Sequence, residues 1–344
     1  MDVVRVAVIG AGSWGTTIAS LAAHNAPTTL WARKSEVAEE VQRDKRNRRY
    51  LGDFALTPAL RASSDMAEVV ADADVVVMGV PSHGFRDTLH EVAPHVRPLV
   101  PIISLAKGLE QGTNLRMTEV IAEVLPGHPA GVLTGPNLSK EILAGHATAA
   151  VIAMADETIA ARLQQVFSVE HYRVYTNNDV IGSEIAGALK NVIALAAGIA
   201  AGLGTGDNTL ASLVTRGLGE LTRLGVAMGG RPDTFAGLAG MGDLVATCIS
   251  AQSRNRYVGL QLAAGRRIDD IVTEMEQIAE GVKTVPVARE LAHRHGVDMP
   301  ITEEMYEVVV NGRSATEAYR NLMRRKLGRE VRGGERPAPG GPHR

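Results

Sequence analysis

Two lysines stand where a proton could be moved, and one arginine-centred cluster stands where an anion could be held. Lys107 lies in Ser104-Leu105-Ala106-Lys107-Gly108-Leu109, just beyond an apolar run and beside a glycine. That is a place suited to touching a ligand, although a solvated loop lysine reads as well. Lys190 interrupts the small, apolar run Glu184-Ile185-Ala186-Gly187-Ala188-Leu189-Lys190-Asn191-Val192-Ile193-Ala194. It is either a lysine that snorkels to the surface or an ammonium in an apolar cleft. In such a cleft, desolvation and a second cation would lower its pKa toward the range a general base needs. Further on, Ser253-Arg254-Asn255 offers five guanidinium donors, an amide and a hydroxyl, a set that suits a phosphate monoester. A helix start capped by Ser253 or Asn255 with exposed arginines is the plain alternative.

A second constellation is made of glycines. Gly10-Ala11-Gly12-Ser13-Trp14-Gly15 directly follows the apolar run Val3 to Ile9 and opens the helical Thr16-Thr17-Ile18-Ala19-Ser20-Leu21-Ala22. Gly-x-Gly-x-x-Gly is a weak signal by itself, but the strand before it and the helix after it give the dinucleotide-binding context. Gly10 permits the tight turn, Gly12 a close backbone approach to a pyrophosphate, and Gly15 close packing of helix on strand, with free N–H groups receiving the phosphates. An NAD-preferring site places Asp or Glu about 20 residues on, against the ribose hydroxyls. Here Trp31-Ala32-Arg33-Lys34 stands instead. Arg33 could clasp a 2′-phosphate, which favours NADPH or use of both cofactors over NADH alone; a solvated strand-end pair is the alternative.

Chemistry at strand ends needs a sheet to supply the ends. Short β-branched runs recur at Val3 to Ile9, Thr28 to Trp31, Val75 to Val80, Leu99 to Leu105, Val132 to Thr134, Ala149 to Met154 and Tyr172 to Tyr175. Continuous apolar strands separated by helical patterns indicate a parallel sheet covered on both faces. Three of them end in polar or small residues: Val80-Pro81-Ser82, the Lys107 segment, and Thr134-Gly135-Pro136-Asn137-Leu138-Ser139-Lys140-Glu141. From Asn178 the β runs stop. Helical spacing takes over in Ile181 to Leu203, Asn208 to Met228, Val258 to Ala264 and Thr284 to Arg294. The expected fold is an α/β N-terminal Rossmann-type domain with a mainly parallel sheet over residues 1–178, an all-α C-terminal domain over 179–328, and a disordered Gly/Pro-rich tail over 329–344.

Composition narrows the class of function. The 344 residues suggest two domains, and 36 Lys+Arg against 38 Asp+Glu gives no basic face for nucleic acid. The single cysteine, Cys248, points to a reducing compartment. No signal-peptide pattern precedes the first strand, so a cytoplasmic location is expected. The longest apolar stretch, around Ile193 to Leu203, covers about half the 20 residues a membrane span needs, so no membrane insertion is expected. No metal-ligand cluster is read from the sequence.

Taken in order, five blocks resemble the bacterial-type NAD(P)-dependent glycerol-3-phosphate dehydrogenases: Gly10-Ala11-Gly12-Ser13-Trp14-Gly15, Ala106-Lys107-Gly108-Leu109, Gly135-Pro136-Asn137, Ala188-Leu189-Lys190-Asn191-Val192, and Gly242-Asp243-Leu244 with Ser253-Arg254-Asn255. The resemblance runs from Val4 to about Arg325. It implies reversible hydride transfer between NADPH or NADH and C2 of dihydroxyacetone phosphate or glycerol 3-phosphate, with Lys190 as the base at the C2 hydroxyl. It places Lys107, Gly135, Asn137, Lys190, Asp243, Ser253, Arg254 and Asn255 around the substrate. Gly10, Gly12, Ser13, Trp14, Gly15, Arg33, Lys34, Lys107, Ser139, Arg254, Ile278 and Glu280 fall at the cofactor. Asp243 could orient or partner Lys190. Asn137 departs from the threonine that bacterial relatives often carry there. The family further implies glycerol 3-phosphate supply for phospholipid synthesis and a homodimer. A hydroxyacid dehydrogenase or ketopantoate-type reductase is the rival enzyme reading, and a non-catalytic NADPH sensor the rival of another class. The phosphate-suited Ser253-Arg254-Asn255 block separates the first, and the presence of both lysines argues against the second.

Replacing Arg33 by Asp is expected to raise the Michaelis constant for NADPH far more than that for NADH. Equal effects on the two cofactors would remove Arg33 from 2′-phosphate recognition.

Overall fold

The computed structural model describes residues 4–275 and 279–324. Ile278 and the expected tail 329–344 lie outside them. Eight strands form one sheet: β1 (Val6–Ile9), β2 (Thr28–Trp31), β3 (Arg61–Ser63), β4 (Val75–Met78), β5 (Ile102–Ser104), β6 (Ala130–Thr134), β7 (Thr148–Met154) and β8 (Tyr172–Asn177). Their spatial order is β3-β2-β1-β4-β5-β6-β7-β8. β1 to β6 run parallel, β7 pairs antiparallel with β6 through Gly131 opposite Met154, and β8 runs parallel to β7. The mainly parallel Rossmann-type sheet of the sequence reading is thus present, with its last two strands reversed.

β1 and β4 are apolar at every position because both faces are covered. Val6, Val8, Val75 and Val77 join one core cluster, while Ala7, Ile9, Val76 and Met78 join the other. Strand order turns back between β1 and β4, and the loops leaving these two strands open a crevice, the usual ligand position in such sheets. Two local readings differ from the structure. Leu99 is outside the sheet, exposed, with φ +64°, and β5 begins only at Ile102. β3 carries no apolar run: Arg61-Ala62-Ser63 is a short edge strand facing partly to solvent, so it leaves no hydrophobic signature.

The helical half is built around Val180–Gly202, a 23-residue helix buried from Gly182 to Ala200. It matches the helical spacing read over Ile181 to Leu203 and, taken whole, is long and apolar enough to cross a membrane by length and composition, where the apolar stretch around Ile193 to Leu203 covers only about half of a span. Here protein rather than lipid covers it: the helices Asp207–Ala227, Asp243–Ile249, Arg254–Ala263 and Glu280–Arg294 pack around this central helix. Small residues allow the tightest of these contacts. A Cβ on Gly198 would lie 2.1 Å from the Arg256 carbonyl oxygen, and one on Gly259 would lie 2.1 Å from that of Leu195. The two backbones therefore touch, and the segment beginning at Ser253 is held against the middle of the central helix. Asp179 caps the helix start, accepting from Gly182 N at 2.9 Å with one oxygen and from Arg231 N at 2.8 Å with the other.

One carboxylate does a similar job at a distance. Glu220, 1% exposed, accepts from Ile301 N at 2.6 Å, Thr302 N at 3.1 Å and Thr302 Oγ1 at 3.0 Å, and so caps the helix Pro300–Val309 from outside. Burial raises its pKa from 4.5 to about 7, against the opposing pull of those donors. A carboxyl whose folded pKa is raised binds more protons folded than unfolded, so its contribution is greatest below pH 4.5 and is lost as pH rises through 7. The stability difference between wild type and Glu220→Gln is therefore expected to shift against wild type between about pH 4.5 and 7. Parallel pH profiles of Tm would refute that role.

Candidate active site

At the end of β1, Gly10 adopts φ +112°, and a Cβ there would meet the Gly79 carbonyl oxygen, just past β4, at 2.8 Å. A Cβ on Gly15 would sit 2.0 Å from the Gly10 oxygen, whereas one on Gly12 would meet nothing within 4 Å. Two glycines thus seal the turn and the middle one faces open space. The helix Ser13–Ala22 starts there with no side-chain cap and no acidic residue in its first turn. Its free N–H groups and positive dipole end fit a pyrophosphate. Ser13 Oγ donates to the Tyr50 carbonyl at 3.1 Å, and the Trp14 indole nitrogen is buried without a partner. Arg33 and Lys34 are both exposed just past β2, with Lys34 Nζ 3.8 Å from Glu36. Ser139 opens the helix Ser139–Leu143. Glu280 accepts from Ser82 N at 3.1 Å, tying the start of the helix Glu280–Arg294 to the loop after β4. The residues present fit a dinucleotide; Ile278 lies outside the described residues.

The second constellation converges on one carboxylate. Asp243, 2% exposed, is the first residue of the helix Asp243–Ile249, set there by the π-helical turn Leu238–Gly242. Its Oδ2 accepts from Lys107 Nζ at 2.7 Å and its Oδ1 from Lys190 Nζ at 2.7 Å. Lys107 also donates to the Gly135 carbonyl at 2.7 Å, and Lys190 to Thr247 Oγ1 at 2.6 Å. Thr247 in turn donates to the Asp243 carbonyl at 2.6 Å. The side chains of Lys107 and Lys190 are 16% and 6% exposed, so Lys190 does not snorkel to the surface and Lys107 is not a solvated loop lysine. Burial pulls the Lys107 pKa down from 10.5 to about 8; Asp243 opposes the fall and the charge of Lys190 adds to it.

Around this triad runs a chain of amides. Asn191 Nδ2 donates to the Lys107 carbonyl at 2.8 Å, Asn255 Nδ2 to Asn191 Oδ1 at 2.9 Å, and Gly281 N to Asn255 Oδ1 at 2.9 Å. Asn255 has therefore spent its oxygen and one amide hydrogen inside the protein. Ser253 caps the helix Arg254–Ala263 by accepting from Arg256 N at 3.2 Å, and Arg254, its first residue, is exposed. The capped helix start is thus present, with an exposed arginine as its first residue. Asn137, near Gly135, accepts from Tyr172 Oη at 3.1 Å.

Three contributors escaped sequence reasoning. Thr247 stands four residues after Asp243, on the same helical face, a spacing that could have revealed it. Asn191 adjoins Lys190, but its amide relay depends on two distant segments. Glu184, six residues before Lys190, is buried and accepts from Arg116 Nη1 at 2.7 Å, from Thr118 N at 2.9 Å and from the Thr118 hydroxyl. It pins the central helix to the helix Met117–Val124, and burial raises its pKa despite those partners. Nothing local in the sequence marks that contact. No group of three or more His, Cys, Asp or Glu suited to a metal occurs among the described residues.

Comparison with known proteins gives a consistent result. Residues 5–160 match the family model for the NAD-dependent glycerol-3-phosphate dehydrogenase N-terminus, and residues 179–320 match that for its C-terminus. A glycerol-3-phosphate dehydrogenase (NAD(P)+) of Sphingopyxis alaskensis is 56% identical over 96% of this chain and 99% of its own length. One of Mycobacterium avium is 54% identical over 96% and 97%. The crystal structure of the Coxiella burnetii glycerol-3-phosphate dehydrogenase superposes with TM-score 0.89 at 34% identity, covering 94% of this chain and 99% of that one. A ketopantoate reductase of Ralstonia eutropha, with TM-score 0.55 and 16% identity over 92% and 99%, shares the fold alone.

The triad makes a measurable claim about Lys107. Its ammonium, followed by NMR of lysine labelled at the ε-carbon, is expected to titrate near pH 8. In Asp243→Asn, which removes the charge that holds the pKa up, the midpoint falls further. A midpoint near 10.5 in wild type would refute the arrangement.

Proposed function

The chain belongs to the NAD-dependent glycerol-3-phosphate dehydrogenase family, and from that premise we propose how its own residues carry the reaction. It is an NAD(P)-dependent oxidoreductase that moves hydride reversibly between the nicotinamide and C2 of dihydroxyacetone phosphate or sn-glycerol 3-phosphate. The observation that carries the reading is the pair of buried lysines sharing Asp243. Each ammonium spends two of its three hydrogens on protein acceptors, which leaves one apiece for a substrate oxygen.

When bound, the nicotinamide supplies or accepts the hydride. As C2 of the ketone gains it, the carbonyl electron pair moves onto oxygen, and Lys190 gives that oxygen its proton. In the reverse direction Lys190 takes the proton from the hydroxyl as hydride departs. Lys107 supports the same oxygen with its remaining hydrogen, and two cations against one carboxylate stabilise negative charge as it develops there. Asp243 and Thr247 fix the position of Lys190. Arg254 holds the phosphate, so that binding energy away from the reacting carbon positions C2. Ser253 and Asn255 set Arg254 in place, while Gly135 and Asn137 border the substrate on the Lys107 side.

The cofactor would lie along Gly10, Gly12, Ser13, Trp14 and Gly15, with Arg33 and Lys34 at the ribose end and Ser139 and Glu280 on the facing segments; Ile278, which the resemblance also assigns to it, is outside the described residues. To the same proposal belong a domain division at 178/179, a homodimer, a cytoplasmic location and supply of glycerol 3-phosphate for phospholipid synthesis. The ketopantoate-type alternative is disfavoured by the phosphate-suited Arg254 segment, and the sensor reading by the intact triad.

The direct check is oxidation of NADPH and of NADH with dihydroxyacetone phosphate, followed by absorbance. Wild type is expected to turn over, and a folded Lys190→Ala to lose about 100-fold or more, the usual worth of a positioned acid–base group. Turnover of a hydroxyacid or ketopantoate instead would transfer the chain to the rival reading.

A further inference from the structure

Tyr172, the first residue of β8, is fully buried although it starts an edge strand. Its ring lies against that of Trp14, with centroids 6.3 Å apart and planes tilted by 56°. Trp14 belongs to the glycine-rich turn. On its other side Tyr172 reaches the loop after β6, where its hydroxyl donates to Asn137 Oδ1 at 3.1 Å. One phenol thus touches both the nucleotide loop and the segment whose Gly135 carbonyl receives Lys107.

The direction of that hydrogen bond follows from the chemistry of the phenol. Burial, with the charge of Asp243, pushes its pKa well above 10, so the hydroxyl keeps its proton and needs an acceptor. The side-chain oxygen of Asn137 provides one. With that oxygen engaged, the amide can turn only one way, and its amino group points away from the ring. This amino group is buried and has no partner, and the same is true of the Trp14 indole N–H on the other flank of the ring. Two unpaired buried donors on either side of one aromatic column are what a bound molecule with acceptor oxygens would complete.

We propose that Tyr172 is a positioning residue, holding the Asn137 side-chain oxygen so that the Asn137 amino group is fixed as a donor to an acceptor oxygen of the bound cofactor or phosphorylated ketone. This rests on the dehydrogenase reading and adds a residue that the family motifs quoted above do not include. The hydroxyl acts through Asn137, and the ring keeps Trp14 in register with it.

The test compares Tyr172→Phe, which keeps the ring and its packing, with Asn137→Ala and with the double variant. Michaelis constants are measured for NADPH and for dihydroxyacetone phosphate, with Tm recorded for each protein. Tyr172→Phe is expected to raise one of the two constants about fivefold, the worth of one net hydrogen bond, with Tm nearly unchanged. Asn137→Ala raises the same constant, and the double variant is no worse than Asn137→Ala alone, because the hydroxyl works only through that amide. A rise confined to NADPH assigns the acceptor oxygen to the cofactor; a rise confined to the ketone assigns it to the substrate. Unchanged constants in Tyr172→Phe, or effects that multiply in the double variant, would overturn the proposal. Were wild type inert toward the ketone, the dehydrogenase reading would fail separately. Calorimetric titration of the same variants with NADPH and with dihydroxyacetone phosphate would then decide on Tyr172 by affinity, by the same criteria.

Discussion

Everything in this structure is arranged around a carboxylate that must satisfy two ammonium groups out of water. Burying one ion pair costs several kcal/mol per ion before attraction returns it, and here Asp243 answers for Lys107 and Lys190 together. The arrangement holds because each side chain has further partners: Gly135 for Lys107, and Thr247 for Lys190. It also needs both halves of the chain. Lys107 follows β5 of the sheet, whereas Asp243 and Lys190 stand on helices of the second half, so the triad exists only when the two are packed together.

That requirement explains the polar chemistry buried nearby. The amides of Asn191 and Asn255 run from the Lys107 loop to Gly281, crossing the central helix on the way. Glu184 fixes the same helix to Arg116 and Thr118 on the sheet side. The Asn191–Lys107 and Glu184 contacts span the boundary between strand loops and helices, where a shift of an ångström would part the lysines from Asp243, and the Asn255 bonds extend that link to the neighbouring helices. Close helix packing at Gly198 and Gly259 serves the same end, since it brings the Arg254 segment to the side of the central helix from which Asn191 meets Asn255.

The parts legible in the sequence were those encoded by local pattern. Val6-Ala7-Val8-Ile9 followed by Gly10, Gly12 and Gly15 shows strand, turn and helix at once, because the glycine spacing answers a backbone requirement. Apolar β4 and the long apolar run around Lys190 were equally plain. What stayed hidden has no local signature. β3 is an edge of three residues without an apolar run, and the reversal at β7 is set by the direction in which the chain after the helix Ser139–Leu143 comes back along the free edge of β6. Glu184 reads as an ordinary helix-start acid until Arg116 and Thr118, more than sixty residues earlier, arrive beside it. Lys190 could be named as a base through family resemblance; that its carboxylate is shared with Lys107 is a fact of tertiary packing.

Sharing one carboxylate between two lysines has a consequence for catalysis that separate ion pairs would lack. With both lysines protonated and Asp243 ionised the triad carries a net positive charge, which on the proposed reading suits an incoming phosphorylated ketone and the negative charge that grows on its oxygen. Were each lysine given its own carboxylate, that field would vanish. Were Asp243 absent, two buried cations would repel without compensation. One carboxylate for two ammonium groups is the intermediate solution, and the low pKa of Lys107 is its physical trace: burial and Lys190 pull the value down while Asp243 stops it near 8. The Lys107 ammonium therefore sits close to the point at which its own proton is exchanged, just above neutral pH. In the proposed reaction Lys190 moves the proton, so the charge on Lys107, present below about pH 8, sets how strongly the triad stabilises the oxygen beside it.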